Sequence, residues 1–497
     1  MLYLTFDIGT TSLKTALING PGELLAVHVE EYALETPRPD WAELDPETYW
    51  FAAKAGIEAV FEQCGKSRQD LSALGFSSQG QSFIPLDEGG KPLYNAIVWV
   101  DGRAQKIAEE WEREWLSLQE YQALSGYPSV AAGLTVFKLA WLARYEPTAH
   151  QAARFLFLPD YLIWRLTGAM ATDYNLAQMS GLYDIRTGDW HPQLMEAAGI
   201  TPEQLPQVLS PGTVAGELLP AVAQEWGLPA GVPVCVGCND QLAGAVGAGN
   251  VQPGVVTETT GTALALIVST PELLVDRTFY SGVHAVPGLF YAMPHAGTSA
   301  IVLKWLRDLA APGASYEEFL DGVDSVPIGC EGLTVLPHYI GSGAPEYNPR
   351  ARGVFAGLTL RHERQHLVRA IMEACACLLQ ECLEPVQAHQ LQVDAVRSLG
   401  GAARSDLWLQ MKADLLGIAV ERPVCSDAAN LGGAMLAAVG TGQFRSLQEA
   451  AAAWYRPART FKPDATRHTE YRQVYAKYRD LYERLYARAK RQSGIQK

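Results

Sequence analysis

The chain has no surplus of positive charge. Its 39 lysines and arginines are outnumbered by 54 acidic residues, which leaves a formal net charge of -15 with the two signs interspersed. A nucleic-acid binder needs a basic face to gather phosphates, so that class is excluded, and a nucleotide ligand has to be held by local donors and a metal. No uncharged apolar run reaches the length of a membrane span, which argues against a membrane partner. The start of the chain also lacks a cationic, cleavable leader, so a cytoplasmic protein is expected. A disulfide framework is missing too. The eight cysteines are scattered, mostly inside apolar runs such as residues 374–378, as small buried residues of a reducing compartment are. Cys235 and Cys238 form one C-x-x-C, but no second pair follows nearby to complete a zinc site.

What the chain does have is length and apolar material. With 497 residues, 48% of them hydrophobic, it exceeds a single core and predicts two large domains, with boundaries at 1–248 and 249–445 and a charged, aromatic, helical appendage over 446–497.

Residues 2–19, LYLTFDIGTTSLKTALIN, carry the first chemical signal. Two apolar, β-branched flanks predict buried strands, and Asp7, Gly9, Thr10, Thr11 and Ser12 form the hairpin tip between them. Gly9 permits a tight turn, and the successive N–H groups and hydroxyls make a cradle for phosphate. Asp7 can hold a hydrated Mg²⁺ opposite those phosphates, because a hard cation prefers carboxylate and water oxygens. The same residues would also serve a solvated hairpin closed by an Asx turn.

Further along, Asp45 and Pro46 predict the start of a helix over residues 49–61. A strand over 71–77 delivers Gln79, Gly80 and Gln81, polar groups suited to binding hydroxyls in the crevice of an α/β sheet, or merely to forming a loop. Residues 95–100 predict a strand running into Asp101, Gly102 and Arg103, with Trp99 as an apolar plate for a sugar face or as plain core. Helices are expected over 104–120 and 136–144, paired strands over 172–190, and a strand over 231–237. That last strand delivers Asp240 and Gln241 to a helix of very small residues that can press against a neighbour. By its position alone Asp240 reads as a helix N-cap.

The opening pattern then returns. Residues 255–267, VVTETTGTALALI, are again strand, Thr/Gly tip and strand, half a chain later. Two such hairpins imply a duplicated architecture with a ligand gripped between the halves. Residues 363–387 keep helical apolar spacing. Gly400, Gly401 and Ser405 lie in a glycine-rich strand-to-helix turn that exposes N–H groups and leaves room for a flat base or a phosphate, though an ordinary tight connection would look the same.

With these pieces in order, the chain resembles the FGGY carbohydrate kinases over nearly its whole length, and the xylulokinase-like members most closely. Residues 7–14, DIGTTSLK, are similar to the first phosphate motif of that family, and Thr260-Gly261-Thr262 to the second. Residues 353–373 fit the C-terminal signature, and residues 133–145 fit the other signature through Lys138, Trp141 and Arg144, with Tyr145 departing from it. The resemblance implies an α/β fold of two ribonuclease H-like domains of the actin and sugar-kinase type, with ATP and sugar meeting in a cleft between them. It implies Asp240 as catalytic base, Mg²⁺ near Asp7, and nucleotide contacts from Thr10, Thr11, Ser12, Lys14, Gly261, Thr262, Gly400, Gly401 and Ser405. Sugar contacts are implied for Gln79, Gly80, Gln81, Trp99, Asp101, Asp240 and Gln241, and a homodimer is compatible with it. Gly80 and Gln81 replace the Arg-Glu of glycerol kinases and the Met-His of xylulokinases, whereas Trp99, Asp101, Gly102 and Arg103 match the xylulokinase form. A ketopentose such as xylulose is therefore the first expectation, with another ketose or a polyol next. An actin-like ATPase or an inactive sugar-binding regulator is the rival from another class.

Overall fold

A central strand buried on both faces has to be apolar along its whole length, and Leu2–Ile8 (β1) is buried at every position. The computed structural model describes residues 1–487. It divides into two compact units, the first made of Met1–Gln252, Ser269–Tyr291 and Asp427–Tyr455 and the second of Pro253–Val268, Ala292–Ser426 and the chain from Arg456 on. Two pieces of the later chain thus fold with the first unit.

In the first unit β1 pairs antiparallel with Ser12–Asn19 (β2), in register from Leu2↔Asn19 to Ile8↔Leu13, and β2 pairs with Leu24–Glu31 (β3). On its other side β1 runs parallel to Leu71–Ser78 (β4), with Phe6 opposite Phe76. Val214–Glu217 (β5) and Pro233–Cys235 (β6) complete the order β5-β6-β4-β1-β2-β3. Because β1, β4 and β6 are mutually parallel, their carboxyl ends share one edge of the sheet, the edge where open α/β sheets bind ligands. The helix Pro46–Cys64 covers the sheet. Asp45 caps it by accepting from Glu47 N at 3.0 Å, proline takes the first turn, and Gly65 closes it in a left-handed conformation with φ 62°.

A second apolar cluster, around Phe83, Phe137, Phe155 and Trp190, supports a small sheet of Glu43–Leu44, Ala96–Ile97, Phe83–Leu86 and Arg154–Phe157. Several expected elements are shorter than their apolar patterns. The strand at 95–100 contracts to Ala96–Ile97, and that at 231–237 to Pro233–Cys235, where proline has no N–H to extend the ladder. The helix expected over 104–120 breaks into Gln105–Glu114 and Leu118–Ser125, because Ser117 caps a new start. Within 172–190 Asp173 accepts from the N–H groups of Asn175 and Leu176, so Tyr174–Met179 is a helix and not a strand.

The second unit repeats the first. Val255–Thr260 (β7) pairs antiparallel with Leu264–Thr270 (β8) and parallel with Ala395–Leu399 (β9). Ala419–Pro423 (β10) runs parallel to β9, and Pro457–Phe461 (β11) closes the edge antiparallel to β10. The order of hairpin and parallel strands matches that of β2, β1, β4 and β6. The helix Arg364–Gln387 is buried along most of its length, and Ala465–Tyr482 packs beside it with four buried tyrosines. Among the described residues no helix is long and apolar enough to cross a membrane.

Candidate active site

The parallel strand ends of the first unit bring three segments together. Gln79 N donates to Ile8 O at 2.9 Å, Ser78 N donates to Cys238 O at 3.2 Å, and Ser78 bridges to Asn239 in parallel register. Asn239, not Asp240, is the N-cap of the helix Asp240–Gly247, and its side chain accepts from Gln241 N at 3.0 Å. Capping is therefore done by the neighbour, and Asp240 occupies the first helical position with its Oδ1 accepting from Gln241 N at 2.7 Å.

This helix is placed by its glycines. A Cβ on Gly247 would fall 1.9 Å from Ala428 O, and one on Gly432 would fall 1.9 Å from Ala243 O. The small residues of Asp240–Gly247 thus let it lie directly on the helix Ala428–Gly440. That second helix is capped by Asp427, a carboxylate that no sequence motif marks.

Asp7 is the penultimate residue of β1, with only 7% exposure, and Ser77 Oγ donates to its Oδ1 at 2.8 Å. Lys14 Nζ lies 3.4 Å from Asp7 Oδ2 and 4.0 Å from Asp427 Oδ2. One lysine thus serves two carboxylates. Burial raises the Asp7 carboxyl above its usual range, opposed by Lys14 and reinforced by Asp427. Asp240, half-buried nearby, is pushed up to about 7 by burial first and by the charge of Asp7 second, against the N–H of Gln241 and the side chain of Asn239. A carboxyl that titrates near neutrality at the end of a buried sheet is suited to take a proton.

The hairpin tip is rigidly held. Gly9 N donates to Ser12 O at 2.9 Å, and the Gly9 carbonyl accepts from Tyr32 OH at 2.7 Å and from Gln79 Nε2 at 2.9 Å. Thr11 is exposed at the apex, while Thr10 Oγ1 accepts from Trp99 Nε1 at 2.8 Å. The residues expected to hold sugar divide into two groups. Gln81 and Trp99 have accessible surface, and Gln81 Nε2 donates to Tyr127 OH at 3.1 Å. Gln79 spends its amide on Gly9 and Ser82. Asp101 differs more from expectation. Its side chain is 0% exposed, clasped by the Arg103 guanidinium and by Ala42 N at 2.6 Å, so as folded it shapes the loop and offers no free oxygen to a ligand. Arg103 is itself shared with Glu43 at 2.6 Å and stacks on Trp41.

In the second unit the other tip opens on a cavity of about 710 Å³. Thr260, Gly261 and Thr262 line it together with Gly401, Ala402, Ser405 and Trp408, and Ala300, Lys304, Tyr316 and Glu317 are among the remaining lining residues. Gly400 has φ 80°, and a Cβ there would lie 2.9 Å from Thr260 O, so the turn after β9 presses against the tip of β7. Ser405 caps the helix Asp406–Leu416, whose positive end faces this region. Beneath the tip Glu258 and Lys412, both with fully buried side chains, meet at 2.6 Å, and Thr260 Oγ1 accepts from Lys412 at 2.9 Å while donating to Glu258 at 2.5 Å. Ser398 donates to the same glutamate. Sequence reasoning missed this brace, since single polar residues at distant positions give no spacing signal.

Two sheets of like topology, each with a Thr/Gly hairpin beside its parallel strand ends, are the architecture of a phosphotransferase that acts on an alcohol group. The chain belongs to the FGGY family of carbohydrate kinases. The model of the N-terminal domain of that family matches residues 2–247, and that of its C-terminal domain matches residues 256–441. The chain is 31% identical over 496 residues to the xylulose kinase of Bacillus subtilis, covering 97% of this chain and 96% of that one. It is 32% identical over 488 residues to the xylulose kinase of Escherichia coli, covering 97% and 99%. Among solved structures, the xylulose kinase of Rhodospirillum rubrum superposes with a TM-score of 0.89 at 30% identity, over 98% of this chain and 99% of that one. Membership of the family carries ATP as phosphoryl donor and a small-molecule sugar as acceptor.

Proposed function

We propose that this kinase phosphorylates a ketopentose, D-xylulose first, with Asp240 as general base. The observation that carries the reading is Asp240 itself, a half-buried carboxylate pushed up to about 7 beside Asp7 at the converging strand ends. Asp240 accepts the proton of the sugar hydroxyl as that oxygen attacks the γ-phosphorus, and the bond from that phosphorus to the ADP oxygen breaks. Gln81 and Trp99 meet the sugar, one by its amide and the other by its ring face, and Gln241 lies next to the base. Gln79, Gly80 and Asp101 fix the backbone of these loops. Thr10, Thr11, Ser12 and Lys14 are donors suited to phosphate oxygens, and Gly261, Thr262, Gly400, Gly401 and Ser405 are suited to the nucleotide.

A magnesium ion, when bound, neutralises phosphate charge. Asp7 is the residue that would hold it, since its carboxylate lies at the carboxyl end of β1 beside the hairpin tip, fixed by Ser77 Oγ at 2.8 Å. Among the described residues no cluster of three or more metal-ligating side chains occurs, and magnesium commonly takes one or two carboxylates, with water and phosphate completing its shell. Support for a ketopentose comes from the relatives named xylulose kinase and from the loop Trp99-Val100-Asp101-Gly102-Arg103. A cytoplasmic location and an association of two copies go with this reading.

The test is ADP release against a panel of ketoses, aldoses and polyols. D-Xylulose is expected to give the highest kcat/KM. Turnover confined to a polyol would overturn the ketopentose assignment, and hydrolysis that is indifferent to sugar would overturn the kinase chemistry.

A further inference from the structure

Lys138 is a buried cation that the chemistry above leaves unused. It lies on the helix Thr135–Tyr145 among Val136, Phe137, Leu139 and Leu142, and it is 0% exposed. Its ammonium is matched by carbonyls: Nζ donates to Val98 O at 2.8 Å and to Gln81 O at 3.3 Å. Burying a charge on two neutral acceptors is costly, and burial pulls this lysine down to about 7 even though Asp101 favours its charged form. An apolar side chain would fill the same space without that cost, so what distinguishes the lysine here is the pair of hydrogen bonds it donates.

The two carbonyls belong to the two loops assigned to the sugar. Gln81 has φ 66°, a left-handed conformation rare outside glycine, and its carbonyl is also held by Thr135 Oγ1 at 3.0 Å. Val98 directly precedes Trp99, whose own N–H donates to Ser82 Oγ at 2.9 Å. One ammonium therefore ties the strained Gln81 peptide to the peptide that launches Trp99. We propose that Lys138 is a positioning residue for the acceptor sugar, setting the spacing of the Gln81 and Trp99 loops without touching the sugar. This rests on the assignment of those loops to sugar binding.

Lys138→Met keeps the length of the side chain and removes both hydrogen bonds, whereas Thr135→Val removes only the companion donor to the Gln81 carbonyl. Both are assayed with the panel sugar that the wild-type enzyme turns over best. Lys138→Met is expected to raise KM for that sugar about tenfold or more and to leave KM for ATP within about twofold, as follows from losing two buried hydrogen bonds. Thr135→Val is expected to raise the sugar KM about threefold, the effect of one neutral bond. A lysine of merely structural value would lower the yield of folded enzyme and its melting temperature and leave both KM values alone. Should Lys138→Met fail to fold, Thr135→Val carries the test by itself. An unchanged sugar KM in the folded variants, or equal rises in both KM values, overturns the positioning role while the kinase reading stands. A wild-type enzyme that turns over no sugar at all overturns that reading and this one with it.

Discussion

Asp240 makes a prediction that joins catalysis to stability. An aspartate moved from its ordinary 3.8 to about 7 has its ionised form disfavoured by about 4 kcal/mol relative to the unfolded chain. Partial contact with solvent reduces that to about 2 kcal/mol. The sign follows from proton binding. The folded state holds the proton over a pH range in which the unfolded state has lost it, so this group stabilises the fold at low pH and the contribution is lost as pH rises from about 4 through about 7. Activity runs the other way, because only the carboxylate accepts a proton. Wild-type kcat/KM for the sugar is expected to rise about tenfold between pH 6 and a plateau above pH 7, as a single base near 7 requires. Asp240→Asn should bind ATP normally and lose about 10³-fold in kcat. In urea unfolding followed by tryptophan fluorescence, the variant should match wild type near pH 4 and exceed it by about 2 kcal/mol at pH 8. A wild-type rate that is flat from pH 5.5 to 8, or a variant that keeps a tenth of wild-type kcat, would refute the reasoning.

Three further outcomes are expected. Gln81→Ala raises the sugar KM and leaves nucleotide affinity unchanged in the same ADP-release assay, and an unaltered sugar KM would remove this side chain from the acceptor site. Lys412→Met strands the buried Glu258 carboxylate under the second hairpin and should cost about 3–5 kcal/mol in chemical denaturation. Gly432→Ala drives a methyl group into Ala243 O, and the displaced helix should cost about 1–3 kcal/mol and lower kcat more than KM, since it carries Asp240.

The elements that were legible in the sequence are those whose signal is local. Both hairpins could be read because a continuous apolar strand, a Thr/Gly tip and a second such strand lie within twenty residues, and β1 and β7 are the central strands that this pattern describes. The helix at Pro46 could be read from Asp45 and the proline alone. Length was harder to read than existence. The apolar run over 231–237 yields only Pro233–Cys235, because strand pairing is decided by distant partners and a proline removes one donor. At the site, a polar or aromatic residue at a strand end reads as facing a ligand, and Gln81 and Trp99 keep accessible surface. Gln79 and Asp101 turn inward, because their oxygens and nitrogens satisfy backbone groups and Arg103, a use that no local pattern reveals. Asp427 stayed hidden for a related reason. It reaches Lys14 only through the packing of one glycine-rich helix on another, across more than four hundred residues of chain.

The helix Ala428–Gly440 packs against β1 and β4 although it is translated long after them. A ribosome making this protein releases the opening strands first and then has to complete most of the polypeptide before their missing cover emerges. The amino-terminal sheet therefore spends synthesis with one apolar flank bare, a stretch in which chaperone capture or aggregation competes with burial. Order of birth and order of completion are reversed here. A fragment ending anywhere before residue 427 would inherit that exposed flank permanently.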